Sequence, residues 1–256
     1  MKNTNHSILL SALILVSNVN ATTVSVDFMG ASSASPMVST DIAGVVPAQF
    51  WEPAFGLSGG VSPLTGAGTA SGVSVQWGAP TSHIVLGYVG GSIPGPGDDK
   101  MMRRGIGGLL TSVSPPLAIP ATVDVSIASL AALGWASYDV YVYSSHANGS
   151  GGKSEISYNG SGGTIVESLT ESSPSFGTVL GSDYIDGTGA PSGNYIRFSG
   201  QTDLNFRIQS TPGVPIPNND LSIINGIQIV GNVPEPSTGL LALIGSLLAV
   251  TRRRRS

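Results

Sequence analysis

The most constraining feature of this sequence is a series of short runs in which apolar and polar residues alternate one by one. The alternation is visible in residues 23–28, 73–77, 122–127, 139–143, 155–158, 194–198, 204–208 and 227–230. Successive side chains of a β-strand point to opposite faces, so each run predicts a strand with one face in a core and the other toward water. Clusters of Gly, Ser, Asn and Pro between the runs predict turns. We therefore expect an all-β protein.

The number and spacing of these runs favour a two-sheet β-sandwich. Residues 83–89 and 164–166 are weaker strand candidates, and one or two helical turns are expected near residues 127–133. With 35 Gly and 17 Pro in 256 residues, the composition disfavours long helices and coiled coils. No fixed period of about 20 to 50 residues recurs, which argues against a solenoid or a propeller. The repeated Thr-x-Thr face of a β-helical ice binder is also missing from the sequence.

Charged residues make up only 10% of the chain, and the formal net charge is −4. Residues 22–231 hold every acidic residue except Glu235 and only six of the eleven basic ones, so this segment has a net charge near −8. An acidic segment repels phosphate backbones, which argues against nucleic acid as a partner. The chain has no Cys, so disulfides, thiolate metal sites and a Cys nucleophile are excluded.

The first 21 residues have the three parts of a secretory signal peptide. Lys2 gives a basic start, residues 8–16 are apolar apart from Ser11, and small residues lead to Ala21. The apolar run would reach only about 13 Å as a helix, which is too short to cross a bilayer. We predict export through the inner membrane and cleavage by signal peptidase after Ala21.

Residues 232–256 contain three features in order. The first is an extended stretch that cannot continue a helix or a strand, formed by Val233, Pro234, Glu235 and Pro236. The second is a predicted transmembrane helix at about residues 238–251. The third is a basic cluster that is expected to stop transfer and remain cytoplasmic, formed by Arg252, Arg253, Arg254 and Arg255. The uncharged residues 237–251 would reach about 22 Å as a helix, against about 30 Å of hydrocarbon. A span this short fits a tail that is later removed.

This tail resembles the PEP-CTERM sorting signal of Gram-negative bacteria, in which a Val-Pro-Glu-Pro box, a short transmembrane helix and an arginine cluster follow one another. The resemblance implies that an exosortase, a membrane-embedded Cys-His-Arg transpeptidase, recognises the box and cuts near Pro234 to Pro236. It also implies a membrane-anchored precursor and a product at the cell surface or in the extracellular polymer matrix. The same motif has been labelled an ice-binding-protein C-terminal domain, a label that does not imply ice binding by the body.

A second, more diffuse resemblance lies between residues 121 and 230. Residues 137–143, 193–198 and 224–230 are similar to core strands of galactose-binding-like jelly rolls. The resemblance implies a jelly-roll-like sandwich for the body and, by analogy with that superfamily, a sugar ligand. The predicted organisation is a signal peptide at 1–21, a β-sandwich ectodomain at 22–231 and a sorting signal at 232–256.

The sequence predicts no catalytic site. Ser58 lies in a Gly-x-Ser-x-Gly pattern, but Pro63 follows closely and disfavours the helix that a nucleophile elbow needs. His83 and His146 are the only histidines after the signal peptide, and neither has a partner at a fixed spacing. We therefore expect no catalytic triad.

No cofactor is expected. The carboxylates of Asp98 and Asp99 could bind calcium, but nearby basic residues would neutralise them, and we expect a solvated loop. Residues 218–220, Asn-Asn-Asp, form another oxygen-rich cluster for which structural calcium is an alternative to a simple turn.

Two aromatic residues are the best candidates for a sugar contact. Trp51 lies in a loop rich in Pro and Gly beside Glu52, and Tyr184 lies between Asp183 and Asp186. Exposed aromatic rings next to carboxylates can stack on the C–H faces of sugars, whereas buried rings only pack.

These observations favour a non-enzymatic, exported surface or biofilm-matrix protein that contacts exopolysaccharide. One alternative is a secreted polysaccharide hydrolase or lyase, in which Asp183 and Asp186 would act as acid and base. The other alternative is a structural matrix protein that associates only with copies of itself.

Overall fold

A computed structural model describes residues 22–30, 36–84, 97–102, 104–109, 122–144, 153–170, 184–190, 192–212 and 221–232. These ranges contain a short α-helix, α1 (Gly97–Met102), and a 3₁₀ turn, Leu130–Leu133. Their strands are β1 (Thr23–Gly30), β2 (Glu52–Phe55), β3 (Ser58–Val61), β4 (Ser74–Gly78), β5 (Thr81–Ile84), β6 (Arg104–Leu109), β7 (Val123–Ala128), β8 (Ser137–Tyr143), β9 (Lys153–Gly160), β10 (Gly163–Thr170), β11 (Tyr195–Gln201), β12 (Phe206–Pro212), β13 (Leu221–Ile224) and β14 (Gly226–Asn232).

The two large sheets form a β-sandwich, which confirms the predicted fold class. One sheet has five strands in the order β11-β8-β14-β1-β2, and the other has six in the order β10-β9-β12-β7-β4-β3. A small sheet of β13, β6 and β5 adjoins them. Neighbouring strands are antiparallel except β1 and β2, which are parallel.

The main core lies between the facing sides of the two large sheets. Alternate residues of β7 (Val123, Val125, Ile127) are buried, and so are Ile208 of β12 and Val140 of β8. At the end of the core near the 3₁₀ turn, the ring of Phe206 stacks on those of Tyr158 and Tyr138, with centroids 4.7 and 5.7 Å apart. The period-two pattern of the sequence therefore sets which side of each strand enters the core.

Strands occur at all eight predicted positions. β10 confirms the weaker candidate at 164–166, β5 includes the start of the candidate at 83–89, and the 3₁₀ turn lies within the predicted helical region. The sequence does not predict β2, β3, β6, β13 or α1. Two of the missed strands read SGGV and RGIGGL. Glycine is a weak strand former, so these segments are strands because β4, β5 and β13 pair with them.

The two ends of the described body leave the sandwich side by side. β1 begins and β14 ends at the same end of the five-stranded sheet, where Thr23 is paired with Val230. The Gly231 amide donates a 2.9 Å hydrogen bond to the Thr22 carbonyl. The predicted signal cleavage site and the predicted sorting motif are thus attached to adjacent antiparallel strands.

Candidate functional site

The outer face of the six-stranded sheet is polar and open to solvent. On its central strands, the residues that alternate with core residues carry amide, hydroxyl or charged groups: Gln76, Asp124, Ser126, Ser157, Asn159, Arg207 and Gln209. Strand pairing places Gln76 opposite Ser126, Ser126 opposite Arg207, and Arg207 opposite Asn159. A row of polar side chains therefore crosses four strands.

A chain of hydrogen bonds connects these side chains. Arg207 forms a bidentate ion pair with Asp124, with Nε donating to Oδ1 at 3.0 Å and Nη2 donating to Oδ2. Gln209 Nε2 donates to Asp124 Oδ2 at 3.1 Å, and Asn159 Nδ2 donates to Gln209 Oε1 at 3.2 Å. Asn159 Oδ1 accepts a 2.7 Å bond from Thr164. Each side chain is thus held in one orientation by its neighbours.

The hydrogen bond to Asp124 raises the pKa of Arg207 above its ordinary value, so the guanidinium remains charged at any physiological pH. The Arg207 side chain is 53% exposed and that of Asp124 is 32% exposed. The pair therefore keeps donors and acceptors available to a molecule that approaches from solvent.

A groove of about 460 Å³ lies at one side of this polar face. Its lining includes Gln76, Trp77, Asp124, Ser126 and Arg207. Two glycines, Gly59 and Gly78, complete the lining beside Ser58.

Trp77 forms part of this groove, although only 7% of the residue is exposed. Its Nε1 donates to the Gly56 carbonyl at 3.1 Å, and its ring meets Phe28 edge to face at 5.9 Å. A Cβ at Gly59 would lie 2.7 Å from the Trp77 ring, so only glycine fits over it. The indole is therefore fixed in the core, on the inner side of β4.

The outer face of the five-stranded sheet is covered instead of open. Residues 36–51 and α1 pack over it and form a second hydrophobic cluster with Tyr141, Tyr143 and Tyr195. Tyr143 Oη accepts a 2.8 Å bond from the Val45 amide and donates a 2.9 Å bond to Gln228 Oε1. Gln228 Nε2 in turn donates to the Val46 carbonyl at 2.8 Å. Buried polar side chains thus fix the covering segment in place.

Trp51, one of the two predicted sugar-contact residues, is buried in the structure. Trp51 is only 3% exposed, and its Nε1 donates 3.2 Å bonds to the carbonyls of Ala43 and Ala48. Its ring packs edge to face against Tyr143 at 5.8 Å. A buried ring has no face for a sugar, so this placement argues against Trp51 as a stacking residue.

Tyr184 is half-buried and also contacts the covering segment. Its Oη accepts a 2.9 Å bond from the Gly44 amide, and its ring lies 5.4 Å from that of Tyr143. Its neighbour Asp186 is exposed and accepts a bond from the Thr188 amide, whereas Asp183 lies outside the described residues. Trp51 and Tyr184 therefore belong to one cluster, which is separate from the polar groove.

A buried ion pair lies under the covering segment. Arg104 Nη2 is 3.6 Å from Asp27 Oδ2, and the two side chains are 1% and 0% exposed. Burial raises the pKa of Asp27 to about 7, although the positive charge of Arg104 opposes this rise. Burial also lowers the pKa of Arg104. Lys100, which is half-buried, pairs with Asp41 at 2.6 Å.

Where they fall within the described ranges, the remaining candidate site residues are not brought together into a catalytic or metal site. Ser58 begins β3 and continues along a strand, so the strand-turn-helix of a nucleophile elbow is not formed there. His83 lies in β5, and Asp98 and Asp99 lie in α1. His146 and residues 218–220 are outside the described ranges. Among the residues that are described, no group of three His, Cys, Asp or Glu could hold a metal ion.

The processing signals lie outside the described ranges. These are Ala21, Val233 to Pro236 and Arg252 to Arg255. None of the helices in the described ranges is long and apolar enough to cross a membrane. The predicted helix at 238–251 is not among them.

Sequence reasoning missed the residues of the polar face. These residues are the polar, outward-facing members of strands whose positions were predicted correctly. Alternation does not indicate which of the two outer sheet faces remains exposed to solvent.

Comparison with known proteins identifies the tail. Residues 232–255 match the family model of the PEP-CTERM protein-sorting motif. No curated protein and no solved structure matches the chain, so the resemblance of residues 121–230 to galactose-binding-like jelly rolls stays a prediction. The motif implies export, processing by an exosortase and a location at the cell surface or outside the cell. The chain is thus an exported surface protein that is sorted through a C-terminal PEP-CTERM motif.

Proposed function

We propose that this surface protein binds carbohydrate of the extracellular matrix through the polar face of its six-stranded sheet, and that it is not an enzyme. The observation that carries the proposal is the hydrogen-bonded set of Asp124, Arg207, Gln209 and Asn159 beside the groove. Exosortase sorting brings the protein to the place where such a polymer is found.

The chemistry of the groove suits a polyhydroxylated ligand. Planar amide, carboxylate and guanidinium groups can each accept or donate two hydrogen bonds to neighbouring sugar hydroxyls. The side chains of Asp124, Arg207 and Gln209 are already hydrogen-bonded to one another. Binding a ligand would therefore order few further side chains and cost little conformational entropy.

The hydrolase or lyase alternative requires two carboxyl groups about 5 to 10 Å apart across a bound sugar. Asp124 is the only carboxylate among the residues that line the groove, and Arg207 and Gln209 occupy its oxygens. The groove lining therefore offers one of the two carboxyl groups that this chemistry requires, which supports a binding role.

The test compares two Arg-to-Lys substitutions. Arg207→Lys retains the charge but loses the bidentate geometry with Asp124 in the groove. Arg197→Lys is the matched control, since Arg197 forms a similar pair with Asp139 at 2.6 Å on the five-stranded sheet. We expect Arg207→Lys alone to weaken retention of the protein in affinity electrophoresis through exopolysaccharide from the same cells. Equal retention of both variants and the unmodified protein would refute this site.

We also propose that signal peptidase cuts after Ala21 and that residues 238–251 anchor the precursor in the membrane. The match to the sorting motif supports the second statement, because the matched residues 232–255 include this apolar stretch. The test is a chain that ends at Asn232, compared with the full chain for its amount at the cell surface. We expect the shortened chain to be exported but not sorted, and equal surface amounts would contradict the proposal. Intact mass of the surface-extracted protein identifies both cleavage points.

A second candidate function is self-association in the matrix, and the edge strand β10 favours it. Among the strands that the structure describes, β10 pairs only with β9 in its sheet, and Ile165 and Val166 are 42% and 55% exposed. Exposed β-branched residues on an edge strand promote pairing with another copy, and a lysine there blocks it. We expect Val166→Lys to abolish any concentration-dependent association in analytical ultracentrifugation. Association that persists in this variant would exclude the β10 edge.

A further inference from the structure

We infer that the end of the sandwich from which both termini leave rests on the lipid bilayer while the sorting tail is still attached. This terminal end consists of Thr22 and three connections, residues 62–72, 129–136 and 202–205. Its occupant is the headgroup region of the membrane in which the tail is anchored. The inference rests on the membrane anchoring proposed above.

Contacts among the connections show that they share one end of the sandwich. The Trp135 ring covers Gly231 of β14, where a Cβ would lie 2.2 Å from the ring. Ala132 lies against Gly72: the Cβ of Ala132 is 2.9 Å from the position that a Cβ would occupy at Gly72. The Leu130 amide donates to the Leu204 carbonyl at 3.1 Å. All three connections therefore surround the point at which the chain leaves β14.

The sequence leaves little length between this end and the membrane. β14 ends at Asn232, and the uncharged stretch begins at Ser237, five residues later. Five residues reach at most about 17 Å when fully extended. The headgroup region takes up about 5 to 8 Å of that distance, since the bilayer is 40 to 45 Å thick around a core of about 30 Å. The terminal end is consequently held within about 9 to 12 Å of the lipid surface.

The terminal end also has a surface that suits this position. The three connections contain one charged residue, Asp203, although residues 22–231 as a whole are acidic. Asp203 is turned toward the protein, because its Oδ2 accepts a 2.8 Å bond from Tyr158 and its Oδ1 accepts a 2.7 Å bond from the Ser161 amide. The end therefore presents little negative charge to anionic lipids.

Apolar side chains project from the same end. Leu204 is 56% exposed, Ala131 and Ala132 are exposed, and Leu133 and Trp135 are half-buried. Tryptophan and leucine at a membrane interface contribute favourable partitioning. An uncharged cavity of about 560 Å³, bordered by Thr22, extends this surface. The strands run away from this end, so the polar groove on the side of the sandwich stays open to a polymer.

The experiment uses the full chain in vesicles of phosphatidylethanolamine and phosphatidylglycerol. Because the protein has no native Cys, single substitutions can be labelled with an environment-sensitive fluorophore without background. Leu204→Cys reports the terminal end. Ile185→Cys is the matched control, since Ile185 is 49% exposed and its carbonyl accepts from Asn194, at the opposite end of β11 from the terminal end. Vesicle flotation separately reports insertion of the tail.

With nitroxide-labelled headgroups in the vesicles, we expect several-fold stronger quenching at position 204 than at position 185 in protein that floats. Floating protein with equal quenching at both positions would overturn the docking of this end while leaving the anchoring proposal intact. Protein that does not float would overturn both.

Discussion

The buried pair of Asp27 and Arg104 leads to a sharp prediction about the pH dependence of stability. Asp27 has an ordinary pKa of 3.8, and burial raises it to about 7 in the folded protein. Between these values the folded state holds a proton that the unfolded chain has already lost. The free energy of unfolding therefore falls as pH rises from about 4 to 7.

The size of this effect follows from the width of the pH window. Each pH unit within it changes the free energy of unfolding by about 1.4 kcal/mol. A window of about three pH units thus corresponds to a loss on the order of 4 kcal/mol. Asp27→Asn removes the titrating group, although it also leaves Arg104 buried without a carboxylate, a penalty that does not vary with pH.

The assay is urea unfolding of the exported protein and the Asp27→Asn variant, followed by tryptophan fluorescence at several pH values between 4 and 8. Trp51 and Trp77 are buried and report loss of the folded state. We expect stability of the unmodified protein to fall across this range, and that of Asp27→Asn to change much less. Other titrating groups are common to both proteins and cancel in the difference. Parallel pH profiles would refute a buried, raised-pKa carboxyl at this position.

Two further predictions concern side chains that fix the covering segment and the terminal end. Tyr143→Phe leaves the Val45 amide and Gln228 without their shared hydroxyl partner, so we expect a loss of about 1 to 3 kcal/mol in stability and faster hydrogen exchange at Val45; unchanged exchange would show that the bond does not hold the segment. Gly231→Ala places a methyl group against the Trp135 ring, so we expect a red-shifted tryptophan emission and a loss of about 1 to 3 kcal/mol. An emission spectrum identical to that of the unmodified protein would mean that Trp135 does not cover β14.

The sequence alone determined the fold class and the sorting of the chain to the cell surface. Alternation with a period of two is a local property, so the eight strongest runs became strands with their apolar sides in the core. The sorting motif is also a local feature of the sequence. It consists of a proline-containing box, an apolar stretch and four arginines, and it can be recognised without knowledge of the tertiary structure. The glycine-rich strands β3 and β6 were not predicted, because their strand conformation depends on pairing with neighbouring strands.

Only the tertiary structure decided which outer face is open. The outward residues of β8 and β12 follow the same alternation, yet Tyr141 and Tyr143 are buried while Arg207 and Gln209 remain accessible. The difference arises because residues 36–51, distant in sequence, fold over one sheet and bury Trp51 with it. Alternation assigns two faces to every strand, but long-range packing determines which of those faces another segment covers.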